Sequence, residues 1–546
     1  MFSVLRSPFR VCLFTIFTGL ATHANAQHTL WMNTEGADSV EQFAPHSAIK
    51  PYVDLDVITS DTQRVYGCMT PTYTVAVKPR LSMTSVYGTK RSFCYHFRLA
   101  DRYLDENKAA FAVIPVYDLR TGPELKSGTF LLNTTAGVAL AADWKQKIGV
   151  EARFVSGITT LPNYQDSLAL HEGFIPGWGD RAYMLDSGRY GFQHFSGNIT
   201  WRPTPVFNLQ IGRDKHFWGD GNRSLFLSDN GAAYPYIKAQ TTIWKLQYTS
   251  LFAWLQDWTN SNGSNKDFRN KFATFHYLSF NAAKWINISI FEGIVWQGTD
   301  ANRQRWFDPN YLNPMVFFRP VEYSLGSSDN AMLGLAGKIR FNRNNMLYGQ
   351  IILDEFYLKE IKNWSAGWWA NKQGAQVGYK CFNFGQVDNL YMQMEMNVVR
   401  PYTYSHGSPQ QSYSNGPTPL AHPMGANFAE VMGMLQYSIK GFSVSGELVG
   451  IRYGKDHDGL NYGQNIFLSY ITRESDYGNK VFQGFATNIF LAKFSSSYTF
   501  NTNFPLRVQL TAIARSEHTK IAERKLKSSF VMVGLSLPLF RAQDDY

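Results

Sequence analysis

Alternation of side-chain character at every second residue is the feature that most constrains this chain. In LRVQLTAIAR (506–515) one set of alternate positions is apolar and the other largely polar; LYMQMEMNV (390–398) and SFVMVGLSL (529–537) repeat the rule. Successive strand side chains point to opposite faces, so each segment has an apolar side and a wet side. About eighteen such segments fit between residues 110 and 540. They start near 110, 129, 147, 191, 206, 236, 245, 271, 285, 329, 345, 373, 388, 426, 441, 483, 505 and 526.

The connections alternate just as regularly. Short ones occupy 144–147, 202–205, 282–284, 342–345, 383–386, 439–441 and 501–503, whereas 162–190, 299–328, 401–425 and 455–482 are long. A soluble β-sandwich or propeller also alternates, but it has no need of this short–long rhythm. The expected fold is therefore all-β, a transmembrane antiparallel β-barrel of about 18 strands. Closure pairs every backbone polar group, as the hydrocarbon layer demands. Trp144, Trp201, Trp254, Trp258, Trp285 and Trp296 lie near strand ends, where interfacial girdles are expected.

The first residues fit export. Arg6 and Arg10 precede the apolar stretch VCLFTIFTGLA, and Ala24-Asn25-Ala26 stands before Gln27. This is the pattern of a signal peptide, residues 1–26. Nothing downstream approaches the ~20 consecutive apolar residues of a spanning helix. The formal net charge is +10, or +8 without Arg6 and Arg10. A basic, aromatic-rich exported chain is compatible with anionic glycan or lipid partners. Cys68 and Cys94 could pair, leaving Cys381 odd; the spacing does not decide it.

Residues 27–107 alternate less. Phe93, Phe97, Ala100 and Leu104 stand at helical spacing, predicting a short amphipathic helix within a periplasmic or plug segment. Residues 108–546 are assigned to the barrel. An even strand number puts both barrel ends in the periplasm and the long loops outside. The strand from 206 then runs outward, and Asp220 to Pro235 belongs to a surface or mouth loop. Gly219-Asp220-Gly221 marks its turn.

Three stretches stand out on that outer side: GRDKHFWGDGNRSLFLSDN (212–230), NPMVFFRPVEYSLGSSDN (313–330) and PLAHPMGANF (419–428). They resemble the signature loops of Wzi-type capsule-assembly outer-membrane proteins, in the branch that includes RemB-like gliding-motility proteins. The similarity runs from FAVIPVY (111–117) to the C-terminus. The resemblance implies an eighteen-stranded barrel with a small helical periplasmic element and outer loops that close the pore. It also implies a lectin-like role in holding capsular or other exopolysaccharide, within a gliding or adhesion apparatus in some relatives.

Sugars are bound by aromatic faces and planar hydrogen-bonding groups. Phe217, Trp218, Tyr323, Asn222, His216 and His422 offer these, and Arg213, Lys215, Arg223 and Arg319 would favour anionic glycans. The alternative for the same residues is an internal plug, with Arg319 facing Glu322 and Arg223 facing Asp220 or Asp229. Asp220, Asp229, Asp308, Glu322 and Asp329 offer carboxylates for glycoside cleavage, but spacing in sequence does not give their separation across a barrel mouth. His422 or His216 beside a serine would suggest acyl transfer, but no GxSxG turn or comparable nucleophile motif stands nearby, and no enzyme is expected. The other competing function is a porin or substrate-specific transporter. The expected partners are surface polysaccharide, outer-membrane lipids and proteins of the periplasm or surface. No cofactor, metal site or nucleic-acid motif is expected.

Overall fold

The computed structural model describes residues 44–50, 82–88, 92–98, 100–105, 109–144, 147–186, 188–204, 206–259, 267–300, 303–305, 308, 311, 329–355, 358–439, 441–500, 506–520 and 525–537. The signal segment and Cys68, and with it the Cys68–Cys94 pairing, lie outside them. Cys381 is buried as a free thiol.

Alternation becomes a closed antiparallel ring of eighteen strands. In chain order these begin with β1 (Ala109–Pro123), β2 (Phe130–Trp144), β3 (Ile148–Thr160), β4 (Arg189–Thr204), β5 (Phe207–Asp214) and β6 (Tyr234–Ile243). The middle third is β7 (Leu246–Asp257), β8 (Arg269–Ala283), β9 (Ile286–Gln297), β10 (Asn330–Arg340), β11 (Asn345–Leu353) and β12 (Gln373–Phe382). The ring is completed by β13 (Leu390–Val399), β14 (Phe428–Ile439), β15 (Phe442–Lys455), β16 (Phe485–Thr499), β17 (Arg507–Thr519) and β18 (Lys525–Ser536). Every strand starts within two residues of its expected position. The last pairs with the first, Val533 opposite Thr121 and Ser536 opposite Asp118.

The wall is amphipathic in the sense that lipid requires. On β13, Gln393, Glu395 and Asn397 are buried inward, while Met394 and Met396 are exposed outward. Leu140, Phe154, Ile199, Leu335, Ile351 and Phe490 continue the outward apolar surface. Ala109 pairs with Trp144 and Ser536 with Arg507, so both ends of the ring lie at the short-turn end. Trp144, Trp201, Trp244 and Trp285 are exposed there as a girdle. Trp296 does not join it. This residue is fully buried on the outward face with Phe252, Phe272 and Ile294, beneath Tyr311.

The helix expected from Phe93 to Leu104 does not form. Ser92–Arg98 is a strand paired with Ser82–Gly88, and Ala100–Asp105 is a strand paired with β1. The same residues put Phe93, Tyr95 and Phe97 at alternate positions, and aromatic side chains suit a pleated surface. Two antiparallel partners offered ladder bonds that an isolated helix lacks. The longest helix among the described residues is instead α1 (Asn163–Glu172), between β3 and β4.

Candidate functional site

At Asp214 the chain leaves the wall, and it rejoins at Tyr234, the residue directly opposite in the ladder. The nineteen-residue excursion between them (215–233) turns into the lumen. Phe217 and Trp218 there pair antiparallel with Lys50 and Ile49, and Trp218 also bridges Leu227. The N-terminal segment 44–50 thus meets the descending loop inside the cylinder.

The Gly219-Asp220-Gly221 turn owes its glycines to closeness. Gly219 has φ +141, and a Cβ there would lie 2.1 Å from Gln350 Nε2 on the wall. At Gly221 a Cβ would lie 2.6 Å from Glu395 Oε2. Only bare backbone passes between these inward side chains.

That closeness is used for bonding. Glu395 accepts the backbone N–H of Asn222 at 2.7 Å and of Arg223 at 3.1 Å. Gln350 donates to the Trp218 carbonyl at 3.1 Å and accepts the Leu225 N–H at 2.8 Å. Gln376 donates to the Arg223 carbonyl. Asp220 accepts Ser47 Oγ at 2.8 Å and the Ala48 N–H at 3.2 Å, and lies 3.1 Å from Lys338 Nζ. Buried backbone polar groups must find partners, and here the barrel wall supplies them.

Around these bonds the lumen packs as an apolar core. Trp218, with no exposed surface, lies among Phe275, Tyr277 and Phe291, and Phe226 stacks on Phe291 at 4.6 Å. The loop between β13 and β14 forms the next layer. Tyr404 and Tyr413 donate their hydroxyls to the carbonyls of Leu225 and Phe226. Arg223 Nε lies 3.5 Å from Glu430, whose other oxygen is 2.8 Å from His422 Nε2.

The sequence-derived candidates therefore separate by place. Trp218, Asp220, Asn222, Arg223 and His422 belong to one buried network. His216 is buried beside it, its ring between Tyr234 and Tyr236. Lys215 donates to the Gly177 carbonyl, and Asp229 is half-buried near it. Arg213 lies on the outward strand face shared with Ile211 and donates to the Phe195 carbonyl. Asp329 is a latch at the rim. It accepts both Arg305 Nη atoms at 2.6 and 2.7 Å, the Tyr311 hydroxyl and Gln411 Nε2. Arg319, Glu322 and Tyr323 lie outside the described residues. Among the described residues, the inward candidates bond to the wall and to one another within the lumen, the arrangement expected under the plug alternative.

A different cluster keeps partly exposed aromatic surface at the long-loop end. Trp368 and Trp369, between β11 and β12, neighbour each other at 6.0 Å. Tyr470 and Arg473, between β15 and β16, meet them: Tyr470 lies 4.7 Å and the Arg473 guanidinium 4.2 Å from the Trp369 ring. Sequence reasoning missed this group. The Trp-Trp pair following Gly367 in a long polar loop was the available signal.

Beneath it, Lys372 is fully buried between Asp354 at 3.2 Å and Glu355 at 3.1 Å and donates to the Ser405 carbonyl. Burial pushes the Asp354 carboxyl up to about 6 against the pull of Lys372. Burial, then the nearby Lys372 charge, lowers His406 to about 4. His406 is thus neutral in the folded cap, whereas an unfolded cap would bind its proton from pH ~6.5 downward. The stability His406 contributes is present above that value and is lost as pH falls toward 4. Asp354 acts in the opposite sense, its contribution being lost as pH rises through about 6. The two effects oppose each other between pH ~6 and 4, so amide exchange over 402–412, corrected for intrinsic rate, should change little across that window. His406→Phe should leave the Asp354 contribution unopposed, and exchange in that variant should slow as pH falls from about 6 toward 4.

No protein-family model matches the chain, and no curated protein matches it in sequence. Solved structures do. The chain is similar to Wzi of Escherichia coli, a carbohydrate-binding outer-membrane β-barrel involved in group 1 capsule assembly, at 10% identity and TM-score 0.53. That match covers 94% of this chain and 99% of Wzi. OprD of Pseudomonas aeruginosa aligns at 8% identity and TM-score 0.42, over 78% of this chain and 95% of that one. At such identity the likeness to Wzi is one of fold, that of an outer-membrane barrel.

Proposed function

We propose that the barrel resides in the outer membrane with its long loops outside, where its rim binds surface polysaccharide and holds it at the cell. The observation that carries this reading is the shelf of Trp368, Trp369, Tyr470 and Arg473. A pyranose ring presents a flat C–H face that packs on aromatic rings, and a guanidinium suits the carboxylate of an acidic sugar. The filled lumen supports the same reading, because a barrel occupied by Trp218, Phe226, Tyr404 and Tyr413 has its rim left for binding. Wzi is itself a carbohydrate-binding barrel, which agrees in ligand class.

In this reading Trp218 and Arg223 hold the scaffold and the shelf makes the contacts. On a glycan array, Trp369→Ala and Arg473→Ala should each weaken binding of acidic glycans roughly tenfold, the size of an ordinary hot spot. Arg473→Lys should keep the charge and lose part of the affinity. Binding by both alanine variants equal to wild type would remove the shelf from the site.

A further inference from the structure

The outward face of β15 to β18 carries a second charged feature, unrelated to the plug. The ladder registers place Arg452 opposite Asn488, Asn488 opposite His518, and His518 opposite Lys525. These four residues form one continuous row across four neighbouring strands, and all four are exposed. Lys527 stands two residues along β18, also exposed, opposite Ser516. Three strand spacings separate Arg452 from Lys525, about 14 Å.

The row lies at the long-loop end of the strands, and what lies below it is apolar. Leu448, Phe490, Phe494 and Val533 are exposed on the same outward face, toward the short-turn end. No Asp or Glu occupies an outward position of β15, β16, β17 or β18; Glu447 and Glu517 both point inward, opposite Lys493 and Ile489. Among the described residues neither Lys525 nor Lys527 has an ion-pair partner. Arg452 rests against the Phe482 ring at 5.0 Å and stays exposed.

We propose that this row is a binding site for the phosphate groups of an anionic glycolipid in the surrounding leaflet. The placement rests on the long-loop end facing outward, as in the proposed function. A lipid brings acyl chains and phosphates to the wall at the two heights where the apolar column and the cations stand. A soluble polysaccharide would have to reach down to the membrane boundary to meet the same side chains. Lysines near an anionic lipid surface contribute about 1 kcal/mol each, roughly a fivefold change in binding per cation.

The test uses purified barrel in detergent, where membrane orientation plays no part, and counts bound lipid by native mass spectrometry. The probe is a bisphosphorylated lipid A. The variant Arg452→Gln/Lys525→Gln/Lys527→Gln should retain on the order of a hundredfold less lipid than wild type. A charge-keeping variant, Arg452→Lys/Lys525→Arg/Lys527→Arg, should retain nearly as much as wild type and so controls for folding. Dephosphorylated lipid A should bind wild type as weakly as the phosphorylated lipid binds the triple Gln variant. Equal retention by wild type and the Gln variant, or by phosphorylated and dephosphorylated lipid, would overturn the site. So would displacement of the lipid by soluble anionic polysaccharide. The glycan-array result at Trp369 is independent of each of these outcomes.

Discussion

Replacing residues 215–233 with a two-residue Asn-Gly turn should convert a sealed barrel into a conducting one. The excision is geometrically mild, because Asp214 and Tyr234 are already cross-strand partners. A two-residue hairpin joins such a pair without changing register, and Asn-Gly supplies the positive φ values that its turn requires. What leaves the lumen is large: Trp218, Phe226 and the segment bonded by Gln350, Glu395 and Gln376. The next layer loses its footing too, since Tyr404 and Tyr413 donate to carbonyls of the removed loop and Ser228 donates to Leu420. The exposed inner wall is polar, with Gln240, Thr249, Gln350, Gln376 and Glu395, so water should fill it. Planar-bilayer conductance should rise by at least about an order of magnitude over wild type, toward that of an open barrel. Porin-sized conductance in the intact protein, or none in the shortened one, would contradict the plug.

The barrel was legible in the sequence because lipid and water sort side chains with period two, and that sorting leaves its mark on each strand alone. LYMQMEMNV declares its faces without knowledge of its neighbours. The plug was not legible in this way. The stretch 212–230 displays charges and aromatics whether it lies open at the surface or is buried against the wall. What distinguishes these states is the partner, and Glu395 and Gln350 are more than a hundred residues away in the chain. Trp218 illustrates the ambiguity: an aromatic flanked by charges suits a sugar platform and suits a core equally. The rim shelf suffers from the same separation, with Trp369 and Arg473 on different loops. At Phe93–Leu104 two periodicities coexist in one short stretch, and the availability of ladder partners decided for the strand.

Asp220→Ala should uncouple the two halves of the plug while leaving the barrel wall intact. Asp220 is the joint between them: it holds Ser47 and the Ala48 N–H on one side and the buried Lys338 ammonium on the other. Removing one member of a buried ion pair costs about 3–5 kcal/mol, because the remaining charge keeps its desolvation penalty. Lys338 would still reach the carbonyls of Ala44 and His46, but these carry no charge to balance it. The loss falls on docking of the plug, since the ladder bonds of β10 involve none of these side chains. A cysteine at Ala48, which keeps the backbone N–H bond to Asp220, should therefore react slowly with a soluble maleimide in the parent protein and orders of magnitude faster in the Asp220→Ala background, by the same ~3–5 kcal/mol. Adding Lys338→Met to Asp220→Ala should restore much of the protection, because no uncompensated charge is then left behind. Fast labelling in the double variant, equal to that of Asp220→Ala alone, would show that the segment is held by the hydrogen bonds it makes to Asp220 and Lys338 and that charge balance adds little.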